Sequence, residues 1–150
     1  MSAPPAARHP SPQPPPLTGV LETALYVGDL ARSERFYAAL LGARTLLSDE
    51  RMRALSLADR QVLLLFERGG STEPNPVPGG TVPPHDGAGQ LHVALAIPAD
   101  SLGAWERHLA ALGVAVESRV CPPLGGTSLY LRDPDGHLVE LATPGVWEIY

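Results

Sequence analysis

Apolar and small residues run almost unbroken from Val20 to Val27, with β-branched and aromatic members among them, as a buried or half-buried strand requires. Asp29 then stands where a helix is capped. Leu30, Phe36, Tyr37, Leu40 and Leu41 recur at helical spacing, and Gly42 occupies the position of a left-handed helix end, so the pattern predicts an amphipathic helix over 30–41. Short stretches near 44–48, 52–58 and 61–66 read as three strands, the last being the apolar run Val62-Leu63-Leu64-Leu65-Phe66. The order is βαβββ.

The same order returns further along. A strand is predicted at 91–97, a helix at about 99–112 capped by Asp100 or Ser101, and strands near 114–118, 126–132 and 137–142. Asp133-Pro134-Asp135-Gly136 forms a tight turn between the last two, because proline presets its own φ and glycine tolerates a positive one. Modules over 20–67 and 90–143 are therefore expected, in one domain. Residues 68–89, with five prolines and six glycines, form a long connection between them. Residues 1–19 hold seven of the 17 prolines and read as a disordered or extended tail, and 144–150 as a C-terminal tail.

The repeat is visible in the residues themselves. Leu21-Glu22-Thr23-Ala24-Leu25-Tyr26-Val27 matches Leu91-His92-Val93-Ala94-Leu95-Ala96-Ile97, and Asp59-Arg60-Gln61-Val62-Leu63-Leu64-Leu65 matches Asp135-Gly136-His137-Leu138-Val139-Glu140-Leu141. In this register Glu22 is equivalent to His92 and Leu64 to Glu140. Three of these four positions carry side chains that bind divalent metals. Alanines at 24 and 94 leave room beside the first two, and a carboxylate in the apolar strand of Glu140 must be paired, metal-bound or at an edge, since uncompensated burial is expensive. Taken singly, each is better explained by solvation or structural hydrogen bonding; it is their coincidence at equivalent positions that points to a shared site, and an unmetallated polar cleft is the alternative reading.

Composition narrows the function. One compact domain accounts for the 150 residues, and a net charge of -5 with scattered basic residues is opposite to a nucleic-acid footprint. The single cysteine, Cys121, forms no internal disulfide, no apolar run reaches the length of a membrane helix, and the first residues lack the apolar core of a signal peptide. The expectation is a soluble cytoplasmic protein, without nucleic acid or membrane as partner.

Leu25-Tyr26-Val27-Gly28-Asp29-Leu30-Ala31-Arg32-Ser33-Glu34-Arg35-Phe36-Tyr37 with Leu40-Leu41-Gly42, together with Tyr130-Leu131-Arg132-Asp133-Pro134-Asp135-Gly136-His137 and Glu140, resembles the vicinal oxygen chelate superfamily. That group includes glyoxalase I, bleomycin-resistance proteins, fosfomycin-modifying transferases and extradiol dioxygenases. The resemblance, over about residues 18–143, implies an α+β fold of two βαβββ modules whose curved mixed sheets form a cleft. It also implies metal ligands at Glu22, His92 and Glu140, a divalent ion such as Mn, Fe, Ni, Co or Zn, and a homodimer in which modules pair within one chain or across two. Many members have His where Glu22 stands, and the glyoxalase I pattern has a fourth ligand where Leu64 stands.

Around that triad, Glu140 and then Glu22 are the candidate proton acceptors. Ser128, Tyr130 and Arg132 share one strand face and are candidate substrate-binding residues, with Tyr130 also placed to hydrogen-bond an oxyanion and Arg132 to form a salt bridge to Asp133 or Asp135. His85 in the connection is a candidate acid or base that closes over the cleft. The resulting expectation is a glyoxalase-like lyase or isomerase acting on a substrate with adjacent oxygens. An Fe(II) extradiol-type dioxygenase and a non-catalytic drug- or toxin-sequestering protein are the alternatives.

Overall fold

The computed structural model describes residues 13–150; of the proposed N-terminal tail, residues 1–12 lie outside the described part, and 13–19 form no helix or strand. Module one comprises β1 (Glu22–Val27), α1 (Leu30–Leu41), β2 (Thr45–Ser48), β3 (Met52–Leu57) and β4 (Gln61–Glu67), in a sheet ordered β1-β4-β3-β2. A two-stranded hairpin, β5 (Asn75–Val77) with β6 (Gly80–Val82), follows within what the sequence reads as a plain connection. Module two comprises β7 (His92–Ala96), α2 (Leu102–Leu112) preceded by one 3-10 turn, β8 (Ser118–Val120), β9 (Ser128–Arg132) and β10 (Leu138–Ala142), ordered β7-β10-β9-β8. The fold is α+β, with two like modules built on mixed sheets.

Helix α1 begins where Asp29 accepts a hydrogen bond from the Arg32 amide at 2.9 Å and ends at Gly42 with φ of 62°. The two ladders share one register logic. Glu22 lies beside Val62 and Ala24 beside Leu64 in parallel pairing, just as His92 lies beside Leu138 and Ala94 beside Glu140. The internal repeat of the sequence is therefore a repeat of backbone pairing. Strand β8 begins later than the pattern suggests: only Glu117 and the residues after it bond to β9, while Val114 packs on the core.

One hydrophobic core holds both modules. Leu25, Val27, Leu63 and Leu65 from the first sheet join Leu129, Leu131, Val139 and Leu141 from the second, with Tyr37 and Leu40 of α1 and Leu109 of α2. Alternation then turns the other face of each sheet away from that core. Glu22, Ala24 and Tyr26 share the outer face of sheet one, and His92, Glu140, Tyr130 and Ser128 share that of sheet two.

The β9–β10 turn locks the modules in this arrangement. Asp133 is buried and accepts from the Tyr37 hydroxyl at 2.9 Å and from the amides of Asp135 and His137. Burial, reinforced by Asp133, raises the Tyr37 hydroxyl pKa well above its ordinary value, so it remains a donor. Fully buried His137 donates through Nε2 to the Tyr26 carbonyl at 2.8 Å and accepts through Nδ1 from the Leu91 amide at 2.9 Å, a combination that one neutral tautomer satisfies. Asp135 reaches across to accept from the Gly28 amide at 2.8 Å and the Ser33 hydroxyl at 3.2 Å, with Arg32 and Arg68 at 3.3 and 3.4 Å. His108 on α2 adds a bond to the last carbonyls of α1.

Burial of Asp135 pushes its carboxyl pKa up, but the Gly28 amide, Ser33 and Arg32 outweigh this and hold it below the ordinary value. A depressed native pKa contributes stability that is complete above the unfolded carboxylate value, about 4, and is lost as pH falls through the native one. Asp135→Ala is accordingly expected to destabilise the chain by about 2 kcal/mol at pH 7. Urea denaturation of wild type and variant should show that gap closing below about pH 4.

Candidate functional site

The first residue of β1 and the first of β7 carry the two repeat-equivalent side chains, Glu22 and His92. Both strands are sheet edges, and a groove of about 710 Å³ runs between them, with Glu22 on one wall, His92 and Ala94 on the other, and Leu41 and Trp105 among its apolar lining residues. His92 is half-exposed, whereas Glu140, on the neighbouring β10, is 6% exposed. His92 Nε2 stands 3.3 Å from Glu140 Oε2.

The hydrogen bonding of this pair defines its chemistry. His92 Nδ1 lies 3.1 Å from the Leu138 carbonyl, which only accepts, so Nδ1 carries the proton. In neutral His92 the Nε2 lone pair then faces a buried carboxylate, an arrangement that is repulsive unless a cation lies between them or Nε2 is itself protonated. A histidine tied to a carbonyl through its far nitrogen is also the usual way a metal-ligating imidazole is oriented. The donor set of one imidazole nitrogen and a carboxylate therefore fits a divalent ion.

Glu22 does not join the pair in a single chain. Among the described residues no group of three His, Cys, Asp or Glu side chains stands close enough to hold one ion. The fourth repeat-equivalent position, Leu64, lies beside Ala24 on the Glu22 face.

The remaining candidates divide into those near the pair and those away from it. Ser128 is 1% exposed and its hydroxyl donates to Glu140 Oε1, so it braces the carboxylate from within the sheet and offers little surface to a ligand. Tyr130, half-buried, stands opposite Glu140 in the β9–β10 ladder, with its ring centroid 6.4 Å from that of His92. Arg132 shares their face, but its partner is Glu117, bonded at 2.7 and 3.1 Å, rather than Asp133 or Asp135; the aspartates are turned inward by the inter-module contacts. Its third nitrogen is taken by the Gly136 carbonyl.

His85 stands on the other sheet. Its Nδ1 is 2.6 Å from the Tyr26 hydroxyl, and its ring packs edge-on against Phe66 at 4.5 Å. Gly87 lies so close to the Tyr26 ring that a Cβ there would collide with it, which fixes this loop on the outer face of sheet one. Burial, and then the charge of Asp86, raise the Tyr26 hydroxyl above its ordinary pKa. At the C-terminus the Tyr150 hydroxyl bonds to the Ile97 and Ala142 carbonyls, while Trp147 is 70% exposed.

Sequence reasoning missed Ser128 as a brace for Glu140. The signal lay in the antiparallel ladder, which puts Ser128 diagonally across from Glu140 on one face, within reach of a short side chain.

Residues 19–141 match the family model of the Glyoxalase/Bleomycin resistance protein/Dioxygenase superfamily. Among solved structures, lactoylglutathione lyase from Agrobacterium tumefaciens is 30% identical, over 89% of this chain and 98% of that one, with a TM-score of 0.80. The genomically encoded fosfomycin resistance protein FosX from Listeria monocytogenes is 21% identical over 87% and 96% of the two chains, with a TM-score of 0.63. TioX from Micromonospora sp. ML1 is 20% identical over 84% and 98%, with a TM-score of 0.64. The last two likenesses show the fold alone.

Removing the brace leaves Glu140 with one buried oxygen unpaired. Ser128→Ala is expected to cost about 1–2 kcal/mol of stability in urea denaturation, and Ser128→Thr, which keeps the hydroxyl, much less.

Proposed function

The chain belongs to the glyoxalase/bleomycin resistance protein/dioxygenase superfamily, and from that membership we propose that it is a metal-dependent lyase or isomerase of glyoxalase type, acting on a small molecule with adjacent oxygens. The observation that carries this reading is the His92–Glu140 pair, in which an imidazole nitrogen faces a buried carboxylate at 3.3 Å with its other nitrogen committed to a carbonyl. Glu22, His92 and Glu140 would hold one divalent ion. When bound, such an ion acts as a Lewis acid that polarises a carbonyl and stabilises negative charge on adjacent oxygens.

Within this reading Glu140 takes a proton from the carbon next to the carbonyl and returns it to the neighbouring position, with Glu22 the second acceptor. Ser128 keeps one Glu140 oxygen fixed so that the other is presented to the cleft. Tyr130, beside both, donates a hydrogen bond to a developing oxyanion. His85, bonded to the Tyr26 hydroxyl at the far end of sheet one, closes that end of the cleft.

We place Glu22 in the site of a second copy. The helix-bearing sides of both sheets are used up in one core, so the faces carrying Glu22 and the His92–Glu140 pair look outward from a single chain. Among the described residues, edge strands β1 and β7 have no outer neighbours, and Val20 and Leu21 stand exposed beside β1. A homodimer that sets sheet one of each copy against sheet two of the other closes two clefts, each with one complete triad.

Elemental analysis tests the triad. Wild type is expected to retain about one divalent ion per chain, and Glu22→Ala, His92→Ala and Glu140→Ala to lose it while remaining folded. Wild type that takes up no divalent ion would overturn the reading. If the site is shared, adding metal should also tighten the dimer, seen as a lower dissociation concentration in sedimentation.

A further inference from the structure

The charge on the two outward faces points to a class of substrate. On sheet one, Glu22 is followed along the face by Ala24, Val62, Leu64, Ala54 and Met52, without a cation. On sheet two the residues around His92 and Glu140 are Ala94, Ala96, Leu138 and Ala142, and the one cation of that face, Arg132, is already committed to Glu117 and a backbone carbonyl. Arginines 53 and 119 lie on the opposite sides of their strands, paired with Glu34 of α1 and Glu106 of α2. Among the described residues, Arg60 on the β3–β4 turn is the only cation lining the groove, at the rim with Glu22.

Along the strip that runs from Glu22 towards Leu64, away from Arg60, an anionic substituent on a bound molecule would therefore meet an apolar wall with no cation, among the described residues, to receive it. Removing it from water without a partner is costly, and the local field opposes it. A hydrocarbon body, by contrast, gains from covering the half-exposed strip of Ala24, Val62 and Leu64.

The strip has an end. Tyr26 and Phe66, 7% and 6% exposed, are stacked on each other at 5.8 Å and closed over by His85 and Gly87. Tyr26 lies four residues along the strand from Glu22, about 13 Å at the usual rise. The open length between the triad and this aromatic wall is shorter than that.

We propose that the substrate is an uncharged molecule whose adjacent oxygens sit at the triad and whose short apolar body, aliphatic or aromatic, lies along the Ala24–Leu64 strip up to the wall formed by Tyr26, Phe66 and His85. This rests on the metal reading above. It makes Leu64 and His85 specificity-determining residues: Leu64 rejects charge and His85 limits length.

Three hydroxamates test it on the full-length protein loaded with Mn(II), by isothermal titration calorimetry. Acetohydroxamate presents the chelating head alone, hexanohydroxamate adds a neutral chain, and adipic monohydroxamate has that chain length with a terminal carboxylate. Each buried methylene strengthens binding by about threefold. Hexanohydroxamate is expected to bind at least about tenfold more tightly than either of the others. Leu64→Arg, if it folds by circular dichroism, should erase the preference for the neutral chain. Equal or tighter binding of adipic monohydroxamate to wild type, or equal binding of all three, would overturn the proposed substrate class while leaving the metal site intact. Failure of acetohydroxamate itself to bind would instead overturn the metal reading, and this proposal with it.

Discussion

The arrangement of the whole molecule depends on one turn. Asp133, Asp135 and His137, all between β9 and β10, reach into module one and satisfy the Tyr37 hydroxyl, the Gly28 amide, the Ser33 hydroxyl and the Tyr26 carbonyl. Tyr37, Ser33 and Tyr26 are buried, and their polar groups would be costly to strand without a partner. With the turn in place, the helix-bearing sides of both sheets merge into a single core, and the opposite faces are left looking outward. The candidate chemistry lies on those outward faces, so the clamp that makes the monomer stable also keeps Glu22 from meeting His92 and Glu140 in the same chain.

That constraint gives the site its character. The buried carboxylate on β10 is braced by Ser128 at one oxygen, while the other faces Nε2 of His92, whose ring is held in place by the Leu138 carbonyl. The result is a pre-oriented pair in which an imidazole nitrogen faces a carboxylate oxygen at 3.3 Å. Small residues at 94, 96 and 142 leave the space above it open, and the outer face of sheet one beyond Glu22 is apolar.

Much of the fold was legible because it is written in local patterns. The capped, 3.6-periodic segment at 30–41 and the apolar runs of β4 and β10 leave few alternatives, and the doubling of the pattern places Glu22 and His92 in equivalent ladder positions. Other features depend on contacts distant in sequence and left no such trace. The partner of Arg132 is decided by where the chain before β8 passes, the hairpin over Asn75–Val82 forms among prolines and glycines that read as a loop, and His85 finds Tyr26 only through a tight approach at Gly87. Nor does periodicity say which sides of two sheets will share a core.

The central claim is that one cation site is assembled from Glu22 of one copy and the His92–Glu140 pair of another. Mixing Glu22→Ala and His92→Ala chains under conditions that exchange subunits, then measuring retained metal, tests it most directly. A site shared across the dimer is rebuilt once in each mixed pair, so metal should return to about one ion per four chains, as random pairing dictates. A mixture that stays metal-free, when wild type treated in the same way holds its metal, would place all three ligands within one chain and contradict the account.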